Sequence, residues 1–301
     1  MVARERIGFV GVGLMGHGMA KNILEKGYPL TVIAHRNRAP VDDLVARGAT
    51  EAKTAKDVAA NSDIVFLCVT SSRQVEEVIA GPGGLLEGAA KGMVIVDTST
   101  ADPNSTQMLA ARCAEKGVSL ADAPLGGTPA HAEEGALSAM VGADEATYAR
   151  IEPVIMTWAA KSVHLGPTGT GHKMKLLNNF ISMSYGVVYS EAMAIGARVG
   201  ITPEIFDSVI RGSRMDCGFY QTFMEWTLRR DPDAHKFTLT NAHKDMRYML
   251  SMASEAGVAA YMAACVKNAF AIAEARGNGE KYMPMLADVI AEVNGVRLRE
   301  D

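Results

Sequence analysis

Hydrophobic positions fall into two regimes along this chain. Up to about residue 166, short apolar runs alternate with stretches of helical period. Residues 6–10 and 30–33 read as strands, and residues 63–69 (DIVFLCV) form a nearly continuous apolar run, as expected of a strand covered on both faces. Residues 93–97, 118–121 and 139–141 repeat the theme. Helical patterns occupy residues 15–26, 41–47, 73–80 and 104–116, the first two closed by Gly27 and Gly48. Such alternation predicts an α/β fold with a doubly wound parallel sheet.

Beyond Gly166 the character changes. The connector GPTGTG (166–171) leads into residues 172–199, which contain no proline and only Gly186 and Gly196 as interruptions. A helix of that length spans roughly 40 Å and suits a junction between domains. Breaks at residues 200–203, 229–233 and 277–279 divide further helical patterns, with no convincing strand. The expected organisation is therefore an α/β domain over residues 1–166 and an all-helical domain over 167–301. Methionines are plentiful in the second domain and read as adaptable helix-packing filler. A long, partly apolar helix there suggests a homodimer or homotetramer packed through the helical domains.

Composition narrows the function classes. Apolar residues make up 48% and charged residues 21% of 301, the balance of a folded globular chain. A formal charge of −4 and the absence of a Lys/Arg cluster argue against nucleic acid as a partner. The four cysteines, Cys68, Cys113, Cys217 and Cys265, form neither a CxxC pair nor a disulfide framework, which suits a reducing cytoplasm. Residues 7–15 are too short and too broken by glycine for a signal-peptide core, and residues 258–275 carry Lys267, Asn268 and Glu274, so no membrane span is expected. The seven histidines show no ligand spacing, and no metal is expected.

The first candidate chemistry stands at the end of the first strand. Gly11, Gly13 and Gly16 fit G-x-G-x-x-G, with Leu14 and Met15 completing the turn before a helix. The first glycine permits a tight turn, the second lets backbone approach a pyrophosphate, and the third lets the helix pack on the sheet. The free N–H groups and dipole of the helix start favour the anion. Alone the motif is weak; between a strand and a helix at the head of a βαβ pattern it predicts a dinucleotide site in a Rossmann domain. After the second strand the chain reads Ile33-Ala34-His35-Arg36-Asn37-Arg38, with no carboxylate before Asp42. Arg36 and Arg38 can pair with a 2′-phosphate, so NADP is favoured over NAD. If both arginines are ordinary loop residues, the preference is weak or dual.

The second candidate opens the long helix. Lys175 and Asn179, in HKMKLLNN, are four residues apart and share a helix face. A lysine and an amide one turn away can both donate to one carbonyl oxygen. Lys173, two residues off that face, reads as solvated, and His172 as a helix-start residue.

Together these segments resemble the β-hydroxyacid dehydrogenase family, the 3-hydroxyisobutyrate dehydrogenase-like enzymes that include semialdehyde and sulfolactaldehyde reductases. FVGVGLMGHGMAKNI, Val96-Asp97-Thr98-Ser99-Thr100, Asp122-Ala123-Pro124, GTGHKMKLLNN and Ala242-His243-Lys244-Asp245 stand in the family's order over nearly the whole chain. The resemblance implies that Gly11, Gly13, Met15 and Gly16 hold the pyrophosphate. It implies that Val69 and Thr100 line the cofactor and that Lys244 reaches it from the helical domain. Lys175 matches the catalytic lysine, which protonates the alkoxide in reduction and accepts the alcohol proton in oxidation. Asn179, with Asn178 beside it, matches the substrate-orienting amide. The implied activity is hydride transfer between NAD(P) and a short 3-hydroxy acid or semialdehyde bearing an acidic group. Imine reduction on the same architecture, which usually dispenses with the lysine, and a non-catalytic cofactor-binding scaffold are the alternatives.

The sequence departs from the family at one loop. The usual D-A-P-V-S-G-G is here Asp122-Ala123-Pro124-Leu125-Gly126-Gly127-Thr128-Pro129. Gly126 stands where a serine hydroxyl commonly binds the substrate carboxylate, and Gly127 where sulfolactaldehyde reductase-like members carry arginine. Consecutive N–H groups of Gly126 and Gly127 are expected to form an anion nest, with Thr128 offering a hydroxyl. Arg214 is a second candidate for an acid group, and Phe237 and Tyr220 for pocket walls.

Overall fold

A computed structural model describes residues 4–299. Contacts divide the chain into two compact units, residues 1–175 and 176–301. The division falls at Lys175, past the expected 166, because the first turn of the long helix is tied to the sheet by Asp122, whose carboxylate accepts from Gly169 N and His172 N.

The first unit runs β1 (Ile7–Val10), α1 (Gly16–Glu25), β2 (Leu30–Ile33), α2 (Ala39–Ala46), β3 (Thr50–Ala52), α3 (Ala55–Ala60) and β4 (Ile64–Leu67). It continues through α4 (Ser72–Ala80), α5 (Leu85–Gly88), β5 (Val94–Asp97), α6 (Pro103–Glu115), β6 (Ser119–Asp122) and β7 (Leu125–Gly126). It ends with α7 (Pro129–Glu134), β8 (Leu137–Gly142), α8 (Glu145–Ile155), β9 (Ala159–Gly166) and the start of α9 (Thr170–Arg198).

Among the described residues nine strands form one sheet, in the order β3-β2-β1-β4-β5-β6-β8-β7, with β9 paired to β8. β3 through β6 are parallel, as the alternation predicted. Beyond β6 the sheet is mixed: β8 runs antiparallel to β6 and β7, and β9 parallel to β8. The sequence pattern missed β9 because Lys161, Ser162 and His164 interrupt the apolar run on a strand that no strand covers from outside. β1 and β4 are buried at every position, and separate apolar clusters lie on the two faces of the sheet.

The second unit holds the rest of α9, then α10 (Pro203–Ile210), α11 (Gly218–Arg229), α12 (Leu239–Glu255), α13 (Tyr261–Ala275) and α14 (Leu286–Val293). Met183, Met193, Met224, Met246, Met249 and Met283 are all in its core, the adaptable filler the composition suggested. α9 runs unbroken through Gly186. A Cβ there would meet Met283 Cε at 2.1 Å, so close packing accounts for that glycine.

Candidate active site

The parallel order reverses between β1 and β4, the place where open α/β sheets bind ligands. The glycine turn stands there. Gly11 has φ +96, and a Cβ on it would lie 2.2 Å from the Cys68 carbonyl oxygen, so only glycine fits between β1 and β4. Gly13 faces open space instead, leaving its backbone approachable. α1 begins with no side-chain cap and no acidic residue in its first turn, and Leu14 is exposed. An uncapped helix start behind an open glycine fits a pyrophosphate. In register with this turn are the ends of β4 and β5. Half-buried Val69 and Thr100 follow those ends, and Val69 N donates to Ser99 Oγ at 3.0 Å.

The two arginines after β2 are not equivalent. Arg38 is gripped by Glu51 of β3 at 2.9 and 3.0 Å and by Asp42 at 3.0 Å. Its guanidinium is therefore engaged, and those carboxylates raise its pKa further. Arg36 is exposed and makes no ion pair among the described residues. Of the two, Arg36 is the one left for a phosphate.

Lys175 is half-buried, and its Nζ donates to the Leu125 carbonyl at 2.6 Å. That contact follows from strand geometry. Met140 N on β8 donates to Pro124 O, and carbonyls along a strand alternate, so Leu125 O turns away from β8. The same alternation, with Gly126 paired to Ser138, points the Gly126 N–H into the β7–β8 ladder. A Gly126 N–H taken up by that ladder is not available for the expected nest with Gly127. Thr128 is also engaged: its N and Oγ1 lie 3.1 and 2.8 Å from His131 Nδ1 at the start of α7.

A buried cluster sets the start of α9. Asp122, fully buried, accepts from Gly169 N at 2.5 Å and His172 N at 2.6 Å. His172 Nδ1 meets Thr106 Oγ1 at 2.8 Å, and its Nε2 stands 3.7 Å from buried Asp97. Burial pushes the Asp122 carboxyl up, against the opposing pull of His172 and the two backbone donors. His172 thus begins the helix as expected, but from inside the core.

In the helical unit Asn179 is buried and donates from Nδ2 to Asp245 Oδ2 at 2.7 Å. Lys244 Nζ donates to the other oxygen, Asp245 Oδ1, also at 2.7 Å. Asp245 is 1% exposed and thereby fixes both side chains that the resemblance singled out there. Because a carboxylate only accepts, the amide of Asn179 must turn its NH2 toward it. Asn178 is exposed, with Nδ2 3.4 Å from Asn179 Oδ1. Arg214 is exposed, Tyr220 fully buried with its hydroxyl on Asp207, and Phe237 half-buried against His235. Sequence reasoning assigned no role to Asp122 or Asp245, although both lay within quoted motifs; the signal was a carboxylate embedded in otherwise apolar or helical surroundings.

Known proteins share this architecture. Residues 6–166 match the NAD binding domain of 6-phosphogluconate dehydrogenase, and residues 169–290 the NAD-binding domain of NADP-dependent 3-hydroxyisobutyrate dehydrogenase. The chain is 35% identical over 292 residues to 2-(hydroxymethyl)glutarate dehydrogenase of Eubacterium barkeri, covering 97% of this chain and 96% of that protein. It is 28% identical to 3-sulfolactaldehyde reductase of Escherichia coli, over 91% and 92% of the two chains. A 3-hydroxyisobutyrate dehydrogenase from Salmonella typhimurium shares the fold with TM-score 0.84 at 24% identity, over 94% of this chain and 99% of that one. The glycine turn at the sheet's switch point, the half-buried lysine and these matches over nearly all the chain lead to one conclusion: the chain belongs to the β-hydroxyacid dehydrogenase family and is an NAD(P)-dependent oxidoreductase.

Proposed function

We propose that this protein interconverts a short 3-hydroxy acid and the corresponding semialdehyde, with Lys175 as the acid/base. The observation that carries the reading is the half-buried Lys175 ammonium, held at 2.6 Å by the Leu125 carbonyl. That carbonyl orients the ammonium at the start of α9. When bound, the nicotinamide supplies or takes up hydride at the carbinol carbon. Lys175 Nζ donates a proton to the substrate oxygen in reduction and takes it back in oxidation. Asn179 orients the substrate, and its amide is preset by Asp245.

Gly11, Gly13, Leu14, Met15 and Gly16 hold the pyrophosphate, with Val69, Thr100 and Lys244 as further cofactor contacts. Arg36, free where Arg38 is engaged, favours NADP. Gly127 offers its backbone to the acid group. The Eubacterium barkeri relative is named for a hydroxymethyl diacid, which makes hydroxymethyl-substituted acids the first substrates to try. Ile181, Val188 and Ile195 form an exposed apolar stripe at helical spacing on α9 and support a homo-oligomer joined through it.

The test pairs NADP+ and NAD+ with 2-(hydroxymethyl)glutarate and 3-hydroxyisobutyrate, and NADPH and NADH with the corresponding semialdehydes. Lys175→Ala is expected to lower kcat by about 10³-fold, within the usual range for a general acid/base, with cofactor affinity unchanged. Near-normal turnover in that variant would overturn the assignment.

A further inference from the structure

Ser138 on β8 stands directly across the antiparallel ladder from Gly126, so their side-chain positions share one face of the sheet. A Cβ added at Gly126 would lie 2.5 Å from Ser138 Oγ. The hydroxyl of Ser138 therefore fills the space that a side chain at position 126 would take. One residue earlier, the Leu125 carbonyl holds Lys175 Nζ. We infer that Ser138 Oγ is the hydroxyl that binds the carboxylate of the substrate, delivered from the neighbouring strand to a loop that has none free. The inference rests on the hydroxyacid reading above.

Two observations favour Ser138 over the other hydroxyl nearby. Thr128 Oγ1 is engaged with His131 Nδ1 at 2.8 Å, and because Thr128 N also points at that nitrogen, the nitrogen is the acceptor and the threonine proton is taken. Among the described residues Ser138 Oγ has only a 3.4 Å contact, to the Gly126 carbonyl, longer than a normal O–H···O bond. Its proton can turn to a better acceptor. The side chain is half-buried, while its neighbours Leu137 and Ala139 are fully buried, so the strand that carries it is fixed by the core. A rigid, partly desolvated hydroxyl beside the lysine's anchor suits a carboxylate oxygen, the acceptor with which a hydroxyl makes its stronger, charge-assisted bonds.

The experiment measures the Kd of 3-hydroxyisobutyrate and 2-(hydroxymethyl)glutarate for the cofactor-loaded protein, alongside KM and kcat for the acids and for propanal, which lacks a carboxylate. Ser138→Ala is expected to raise the acids' Kd and KM about 10-fold, as loss of one hydrogen bond to a charged group would, with kcat and the propanal KM within about twofold. Gly126→Ser alone should also weaken the acids, because its Cβ meets Ser138 Oγ. Gly126→Ser combined with Ser138→Gly should recover them by returning a hydroxyl to the loop. An unchanged acid Kd in Ser138→Ala, or equal losses for acids and propanal, would overturn the inference. Should the wild type turn over no acid, the proposed function falls while the Kd comparison still decides the hydroxyl's role. If neither acid binds, both fall.

Discussion

Asp122 in the sheet unit and Asp245 in the helical unit are both almost completely buried, and they are used differently. Asp122, in the sheet unit, is satisfied by two backbone N–H groups at the start of α9. Asp245, in the helical unit, is satisfied by two side chains, Asn179 and Lys244. A carboxylate bonded to backbone fixes where an element begins. One bonded to an amide and an ammonium fixes how movable functional groups point. The first is a device of the fold and the second a device of the proposed site, although burial and bond lengths are nearly the same.

The sharpest way to break the comparison is to remove each carboxylate and ask whether stability or activity suffers. Asp122→Ala leaves two buried helix-start donors without an acceptor and should destabilise the protein by about 3 kcal/mol, read by thermal or urea denaturation. Asp245→Asn keeps an acceptor for Asn179 but loses the charge facing Lys244. It should lower kcat/KM about 30-fold while costing only about 1 kcal/mol of stability, the typical net value of a single hydrogen bond. If the two variants lost stability equally and Asp245→Asn kept full activity, the distinction between fold and site would collapse.

A similar contrast separates the arginines. Arg36→Ala should reduce the preference for NADPH over NADH about 10-fold, whereas Arg38→Ala, whose guanidinium already sits between Glu51 and Asp42, should change it less than twofold. Reversed outcomes would mean that cofactor binding rearranges the Arg38 cluster.

The smallest effect sharpens what burial adds at a helix start. Asp144 caps α8 from an exposed position, where the Thr147 backbone N–H and hydroxyl hold its carboxyl below the usual range. Its contribution is present above the unfolded pKa and lost as pH falls through the lower folded value. Asp122 has the opposite sign, because burial raises its folded pKa. Its protonation contributes stability at low pH that is lost as pH rises through the folded value. Asp144→Ala should therefore cost about 1 kcal/mol near neutrality and less in acid, measured by denaturation across pH. A pH-independent cost would sink this assignment.

Much of this was legible in the chain because the relevant physics is local. The apolar runs of β1, β4 and β5 announce buried parallel strands, and the glycine turn between β1 and α1 announces a phosphate site. Lys175 and Asn179 are placed on one face by helix period alone. Asp122 escaped because its partners, Gly169 and His172, are about fifty residues away and contribute only backbone, which has no sequence signature. Asp245 sat inside a quoted motif, yet nothing local says that it faces Asn179. β9 was hidden by its polar positions.

The sequence by itself determined the alternation of strand and helix, the anion-binding turn, the lysine with its amide, and the family. Only the tertiary structure decided which donors are free. It engages Arg38 and leaves Arg36, engages Gly126 N–H and Thr128, and sets the Ser138 hydroxyl in the space beside Gly126. The physical reason is that periodicity fixes which way a side chain points along one element, whereas hydrogen-bond availability depends on which groups the fold brings opposite it.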